Sequence, residues 1–262
     1  MKDQPSVTLA KKELAGSRLA CLALTSGSDD QLAERLTRLT GGLGVVAPGS
    51  LVMPRGLRKP DEAQLGEDCP LLKGAEGHTL TSWWLAVSSN RAKLPTWDIA
   101  ARCQVQGKPG LLLVEAKAHD KEPDEAGKRQ TEATNLRNHE SIRLAIAEAS
   151  DGLNTLMPGW ALSRDRSYQL SNRFAWAWKL ATMKVPVILV FLGVIHADEM
   201  ASRTRRAFAT FEDWQGALLE HARGIVPKTA WDEPLYVAGT PLISLIKSVR
   251  QEFEIQPPSN RR

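Results

Sequence analysis

The chain has 262 residues, of which 42% are hydrophobic and 24% are charged, with a formal net charge of +4. This composition indicates a globular protein, and the mild positive charge favours a polyanionic partner, although a solvated basic face gives the same charge. Three scattered cysteines without CxxC spacing exclude a disulfide framework and a zinc knuckle. No apolar run approaches about 20 residues, so we expect no membrane segment and a cytoplasmic location.

The N-terminal third combines a capped helix with a long loop. Ser28 and Gln31 are spaced like a capping box and precede leucines at helical spacing. Proline and glycine then interrupt the chain, before leucine and tryptophan resume a helical period. The expected elements are a strand or short helix over Arg18–Thr25, a helix over Ser28–Leu39, a loop over residues 48–78 and a helix over Thr79–Val87.

The most informative stretch runs from Thr96 to His119 and predicts a β-hairpin. Residues from Trp97 to Gln106 alternate between apolar and polar, which is typical of a half-buried strand. A turn signal of glycine and proline follows at residues 107–110, and a second strand begins with the apolar run Leu111–Val114. This second strand then becomes polar, so its first half is buried and its second half presents functional groups.

The position of the turn decides which residues of the hairpin face each other. A loop of residues 107–108, or of residues 106–109, places Asp98 opposite Lys117, whereas a loop centred one residue earlier places Asp98 opposite Glu115. In either register Asp98, Glu115 and Lys117 lie on one face, with Glu115 and Lys117 separated by about 6.6 Å along the strand. The hairpin therefore predicts a cluster of two carboxylates and one amine.

Two adjacent carboxylates repel each other, and one lysine neutralises only one of them. A divalent cation would balance the cluster. Asp98 and Glu115, joined by the Ala116 carbonyl, offer the hard oxygen ligands that Mg²⁺ or Mn²⁺ prefers. Lys117 would orient or deprotonate an attacking water, or stabilise charge on the phosphorane. The alternative interpretation is a surface hairpin in which Asp98 and Lys117 form a solvated ion pair.

Asp98, a turn and then Glu115-Ala116-Lys117 at the end of an apolar strand resemble the motif of the PD-(D/E)xK nuclease superfamily, with Trp97 replacing the proline. The resemblance implies an α/β fold, restriction-endonuclease-like, with a central mixed β-sheet flanked by helices. It also implies a Mg²⁺- or Mn²⁺-dependent nuclease in which Asp98 and Glu115 bind the metal and Lys117 assists the water. The chain would be a single domain over residues 1–262, with its core at about residues 79–195.

Further site residues are implied by the same resemblance. A third acid often precedes the first strand of such nucleases, and Glu76 or Glu67 could take this place. Gln169 resembles the glutamine of the Gln-x-x-x-Tyr motif of the RecB-like branch, but Arg173 replaces its tyrosine. His119 lies on the polar face beyond Lys117 and is a further accessory candidate.

After the hairpin, the pattern predicts two helices and a buried strand. An apolar stripe indicates a helix over residues 130–153, and a second helix over Gln169–Ala181 precedes the continuous apolar run Val187–Ile195. Such a run is typical of a central, parallel strand. The tail adds a helix containing Trp214 and an amphipathic segment over Leu242–Phe253 that we expect to pack on the core.

The expected partner is nucleic acid, with DNA favoured over RNA, and no membrane is expected. The oligomeric state is open, a homodimer included. A non-catalytic nucleic-acid-binding or assembly module that retains the nuclease fold is the alternative to an enzyme. The candidate nucleic-acid contacts are Lys128, Arg129, Arg137, Asn138 and Arg173.

Overall fold

The structure is a computed structural model that describes residues 15–87, 93–123, 126–128 and 136–250. Its helices are α1 (Gly16–Leu24), α2 (Asp29–Leu39), α3 (Glu76–Trp84), α4 (Leu136–Asn154), α5 (Tyr168–Thr182) and α6 (Phe211–His221). Its strands are β1 (Gly44–Val45), β2 (Val52–Met53), β3 (Ala63–Gln64), β4 (Thr96–Trp97), β5 (Ile99–Val105), β6 (Lys108–Lys117), β7 (Val187–Ile195), β8 (Pro234–Val237) and β9 (Thr240–Arg250).

The fold is α/β, with one mixed central sheet flanked by helices. The sheet has the order β1-β5-β6-β7-β9-β8, and β2 also pairs with β5. Strands β5 and β6 are antiparallel, whereas β6, β7 and β9 are mutually parallel. The predicted hairpin and the predicted parallel strand beside it are therefore confirmed. A separate pair of short strands, β3 and β4, precedes the hairpin.

The hairpin turn consists of Gln106 and Gly107, since Val105 pairs with Lys108. Both turn residues have positive φ, 50° and 75°, which matches the twist of tight two-residue hairpins. The resulting register pairs Ile99 with Val114, and one further step places Asp98 opposite Glu115. The register with the earlier turn is thus the correct alternative, and the one that placed Asp98 opposite Lys117 is wrong.

The pleat of β6 explains which helices surround its polar end. Leu112, Val114 and Ala116 pack into the core beneath α1 and α2, while Leu111 and Leu113 pack on the opposite face with α4 and α5. Side chains of a strand alternate between its two faces. Glu115 and Lys117 therefore continue the face that α5 covers.

The predicted helices are confirmed with shifted boundaries. Ser28 and Gln31 form the expected capping box at the start of α2. The alternative of a strand at Arg18–Thr25 is wrong, because α1 occupies it and packs its leucines against β6 and β7. The helix predicted from residue 79 begins at Glu76 and ends at Trp84. The first residues of the helix predicted over 130–153 lie outside the described residues.

The C-terminal segment enlarges the sheet instead of packing on its surface. Leu242, Leu245 and Ile246 belong to β9, which pairs with β7 and is buried on both faces over most of its length. Strand β8 then adds an antiparallel edge. Within the described ranges, none of the helices combines the length and the apolar character that crossing a bilayer requires.

Candidate active site

An open cleft of about 450 Å³ lies at the carboxyl end of β6, where the sheet meets α5. The bend between β4 and β5 contributes Asp98, and the carboxyl-terminal end of β6 contributes Glu115 and Lys117. The polar side chains lining the cleft include Glu62, Asp98, Glu115, Lys117, Gln169 and Arg173.

The backbone of β6 holds Asp98 directly. The Ala116 N–H donates a hydrogen bond to Asp98 Oδ2 at 2.7 Å, which takes the place of the next rung of the β5–β6 ladder. This contact fixes the carboxylate beside Glu115, with which Asp98 is in register. The convergence predicted for Asp98, Glu115 and Lys117 is therefore present in the structure.

Glu115 is the most enclosed acid of the cleft, with 3% of its surface exposed. Lys117 Nζ donates to Glu115 Oε1 at 2.5 Å, and Arg173 Nε donates to Glu115 Oε2 at 2.6 Å. Burial alone would raise the pKa of Glu115, but Arg173 and Lys117 together hold this pKa below its usual value. Glu115 is therefore ionised, and each of its carboxylate oxygens accepts a hydrogen bond from a cationic side chain.

Asp98 lies in a different electrostatic environment. Desolvation and the neighbouring charge of Glu115 raise the pKa of Asp98 to about 7, against the weaker opposing effects of Lys117 and the Ala116 N–H. A carboxyl group that titrates near neutral pH beside an ionised one is typical of functional sites. Ionisation of Asp98 beside Glu115 would be stabilised by a bound cation.

Lys117 is the cation that joins the two acids to α5. Its ammonium also donates to Gln169 Oε1 at 2.9 Å, so the predicted accessory residue Gln169 lies in the cleft. Burial would lower the pKa of Lys117, but Glu115 and Asp98 raise it above its usual value. Lys117 is thus protonated at neutral pH, which favours orienting a water or stabilising charge over deprotonating the water.

The predicted role of Arg173 as a nucleic-acid contact is not supported by its position. Arg173 is 5% exposed, and its guanidinium also donates to the Thr96 carbonyl at 2.7 Å and lies 4.5 Å from the centre of the Trp97 ring. Although Arg173 lines the cleft, all three nitrogens of its guanidinium already donate internally, to Glu115, Asn172 and the Thr96 carbonyl. Arg173 instead serves as a fixed counter-ion of Glu115.

The structure adds an acid that the sequence analysis missed. Glu62, which directly precedes β3, lines the same cleft as Asp98, and it accepts a hydrogen bond from Arg18 Nη1 at 2.5 Å. Burial raises the pKa of Glu62 despite Arg18. Strands β3 and β4 have two residues each, too few to show periodicity, so no local pattern could reveal this residue.

The acids proposed for the third position lie elsewhere. Glu76 accepts from the Lys73 N–H at 2.7 Å in the first turn of α3, and Glu67 contacts His78 Nδ1 at 2.8 Å. Neither residue lines the cleft with Asp98. His119 is buried beyond Lys117, where its Nδ1 accepts from the Lys121 N–H, so it supports the loop after β6 and does not line the cleft.

The remaining candidate nucleic-acid contacts have different environments. Asn138 uses its amide to bind both backbone groups of Val87, at 2.8 and 2.9 Å, which makes it a structural tie. Lys128 lies over the Tyr168 ring at 4.8 Å, and burial lowers the pKa of Lys128. Arg137 is exposed at the start of α4. Arg129 lies outside the described residues.

The carboxylate oxygens of the cleft are the type of ligand that divalent cations such as Mg²⁺ prefer. Among the residues that the structure describes, no three His, Cys, Asp or Glu side chains form a ready-made set of metal ligands. Mg²⁺ needs only one or two carboxylates, since water and substrate phosphate complete its coordination. Asp98 and Glu115 could therefore hold it, with Glu62 close by, although Lys117 and Arg173 occupy the oxygens of Glu115.

No protein-family model, curated protein or solved structure matches the chain. The chemical interpretation of the cleft therefore depends on the side chains described above.

Proposed function

We propose that this protein is a divalent-metal-dependent nuclease that hydrolyses phosphodiester bonds, in DNA in preference to RNA, on a restriction-endonuclease-like core. The observation that carries this proposal is the junction of Asp98, Glu115 and Lys117 at the end of β6, with Asp98 hydrogen-bonded to the backbone of the strand. The order of hairpin, helix and parallel strand is also the one expected for such a nuclease.

Each side chain has a defined task in the proposed reaction. A Mg²⁺ or Mn²⁺ ion bound at Asp98 and Glu115 would supply Lewis-acid activation of the water and the phosphate. Lys117, held by Glu115 and Gln169, donates hydrogen bonds toward the charge that develops on the phosphate oxygens. Arg173 keeps the Glu115 carboxylate ionised and oriented, and it acts as a positioning residue.

A second candidate is a nucleic-acid-binding or assembly module that retains this fold without cutting. It is favoured by the saturation of Glu115, because both of its oxygens already accept from Lys117 and Arg173. A carboxylate with two bound cations has less negative charge left for a metal. Metal binding therefore distinguishes the two candidates.

The deciding experiment measures Mn²⁺ binding by calorimetry and cleavage of labelled single- and double-stranded DNA and RNA. The nuclease proposal expects Mn²⁺ to bind, to raise Tm and to support cleavage that chelator abolishes. Asp98→Asn should weaken metal binding and cleavage together, and Glu67→Gln, which alters an acid outside the cleft, provides the matched control. Nucleic-acid binding without Mn²⁺ binding would favour the second candidate, and cleavage that persists in chelator would contradict the metal site.

A further inference from the structure

A second and larger cleft, of about 590 Å³, lies at the opposite end of the sheet. It is formed where β6, β7 and β9 begin, together with the loop before α3. Lys108 and Lys117 are the two ends of the ten-residue strand β6, which corresponds to a separation of about 30 Å. This second cleft is therefore distinct from the one that contains Asp98.

Four cations line the second cleft. The ammonium of Lys184 donates to the Ala238 carbonyl at 2.7 Å, and the guanidinium of Arg102 donates to the Pro70 and Leu71 carbonyls at 2.7 and 3.1 Å. Backbone carbonyls orient a cation without cancelling its net charge. The four cations of the cleft are Lys73, Arg102, Lys108 and Lys184.

These charges have little compensation. None of the four cations forms an ion pair with any residue in the described part of the chain. Glu76 is the only acid among the lining residues, and its Oε2 accepts from the Lys73 backbone N–H. A concave site in which four cations outnumber one acid has a positive potential that attracts anions.

The wall between these cations is apolar. Its accessible apolar surface comes from Pro109, Val185 and Ala238, over a floor of buried apolar residues that includes Leu71 and Leu111, and the volume is within the range of small-molecule sites. Tight backbone geometry fixes its shape, because a Cβ at Gly110 would lie 2.4 Å from the Pro186 carbonyl oxygen. The cleft thus combines a rigid apolar surface with cations that have no carboxylate partner.

We propose that this cleft binds a nucleoside phosphate, with the phosphates on Lys73, Lys108 and Lys184 and the base against the accessible apolar side chains of Pro109 and Val185. The cations account for the anionic part of such a ligand and the apolar wall for its flat ring. The same chemistry would fit a free nucleotide or the terminal nucleotide of a strand. This inference does not depend on the proposed nuclease activity.

The test is calorimetry of the full chain in chelator, with adenosine diphosphate, adenosine and pyrophosphate as probes. The diphosphate should bind more tightly than either adenosine or pyrophosphate, because only it satisfies both parts of the cleft. The double variant Lys73→Gln with Lys108→Gln should weaken its binding by about tenfold or more, since each lost charged contact removes a measurable fraction of affinity. Both side chains are exposed, so the fold should be retained, as circular dichroism can verify.

Two controls separate this site from the rest of the molecule. Lys228→Gln removes an exposed lysine outside the cleft, and Asp98→Asn alters only the other cleft, so both should bind the diphosphate as the parent does. An oligothymidylate that binds tighter than the diphosphate, and is weakened by the same double variant, would identify the strand terminus as the source. Equal binding of pyrophosphate and the diphosphate, no binding of the diphosphate, or a double variant that binds like the parent, would overturn the proposal.

Discussion

The charged side chains at the two ends of β6 differ in whether they form ion pairs. At the carboxyl end, Glu115 is buried and paired with Lys117 and Arg173, and Glu62 is paired with Arg18. At the amino end, Lys108 and the cations around it are unpaired within the described chain and lie beside an open cleft. The difference follows from desolvation, since a buried charge must be compensated whereas an exposed one is compensated by water.

The comparison also separates two kinds of functional group. The cations at the carboxyl end are held in place by their ion pairs with Glu115, so they can interact only with a group that binds in the adjacent cleft. The unpaired cations of the amino end keep their full attraction for a mobile anion. Substitutions should therefore affect stability and chemistry at the carboxyl end, and ligand affinity at the amino end.

The largest expected effect is on the proposed cleavage. Lys117→Met should lower the proposed cleavage rate by about a thousandfold, because it removes the ammonium that is proposed to donate to the reacting phosphate. Mn²⁺ binding should persist or tighten, since a cation facing the ion has been removed. Single-turnover cleavage and Mn²⁺ calorimetry on the same preparation measure both quantities. Parallel loss of metal binding would show that Lys117 organises the site and does not act in the chemical step.

The next largest effect is on stability. Glu115→Gln should destabilise the fold by about 3 kcal/mol, because it leaves the buried Arg173 and the half-buried Lys117 without their shared anion. Urea unfolding at neutral pH measures this change, and Glu140→Gln, which breaks the exposed ion pair of Glu140 with Arg143, is a control that should change stability far less. If Glu115→Gln were as mild as the control, the ion pairs would not contribute to folding.

Glu115 and Lys117, the residues of these two predictions, could be identified from the sequence because they end a long strand, and Asp98 because it directly precedes β5, which is long enough to show alternation. The ambiguity in register could not be resolved that way, because it depends on Gln106 adopting positive φ, an uncommon conformation for a residue other than glycine. Glu62 could not be identified from the sequence either, because its position in the cleft depends on the tertiary pairing of two very short strands.

Strand β9 was missed for a different reason. Leu242, Leu245, Ile246 and Val249 are spaced as on one face of a helix, yet a strand buried on both faces has no alternation to display. Arg173 shows the corresponding limit for side chains. An arginine in the sequence suggests a contact to phosphate, but the packing of α5 against Trp97 buries the Arg173 side chain.

Asp98→Asn should stabilise the protein, which is the opposite of Glu115→Gln. The pKa of Asp98 in the folded state is about 7, above its ordinary value of 3.8, so the native state binds the proton more tightly than the unfolded state. The stability linked to Asp98 is therefore full only below about pH 3.8, and it is lost as the pH rises from there through about 7. Because asparagine has no charge to lose, the variant should gain about 2 kcal/mol over the parent near pH 8.

Urea unfolding of the parent and of Asp98→Asn at about pH 5 and about pH 8 measures this effect. The advantage of Asp98→Asn over the parent should be present at about pH 5, because the unfolded Asp98 is already ionised there, and should be clearly larger at about pH 8. A constant difference would mean that Asp98 does not titrate in this range. The same protonation should weaken Mn²⁺ binding by about tenfold for each pH unit below 7, because the metal and the proton compete for one carboxylate.

The smallest expected effect concerns the outer surface near α4. Arg137 is exposed, whereas Lys128 is half-buried over Tyr168, so Arg137 is the better candidate for contacting a phosphate backbone. Each phosphate contact to duplex DNA contributes about 0.9 to the slope of log affinity against log salt, because one condensed counterion is released. Arg137→Gln should therefore reduce this slope by about 0.9, while Arg223→Gln, an exposed arginine paired with Glu220, should leave it unchanged. Fluorescence anisotropy of labelled duplex over a salt series in chelator, which prevents cleavage, measures both slopes. An unchanged slope in Arg137→Gln would place the DNA path away from the start of α4.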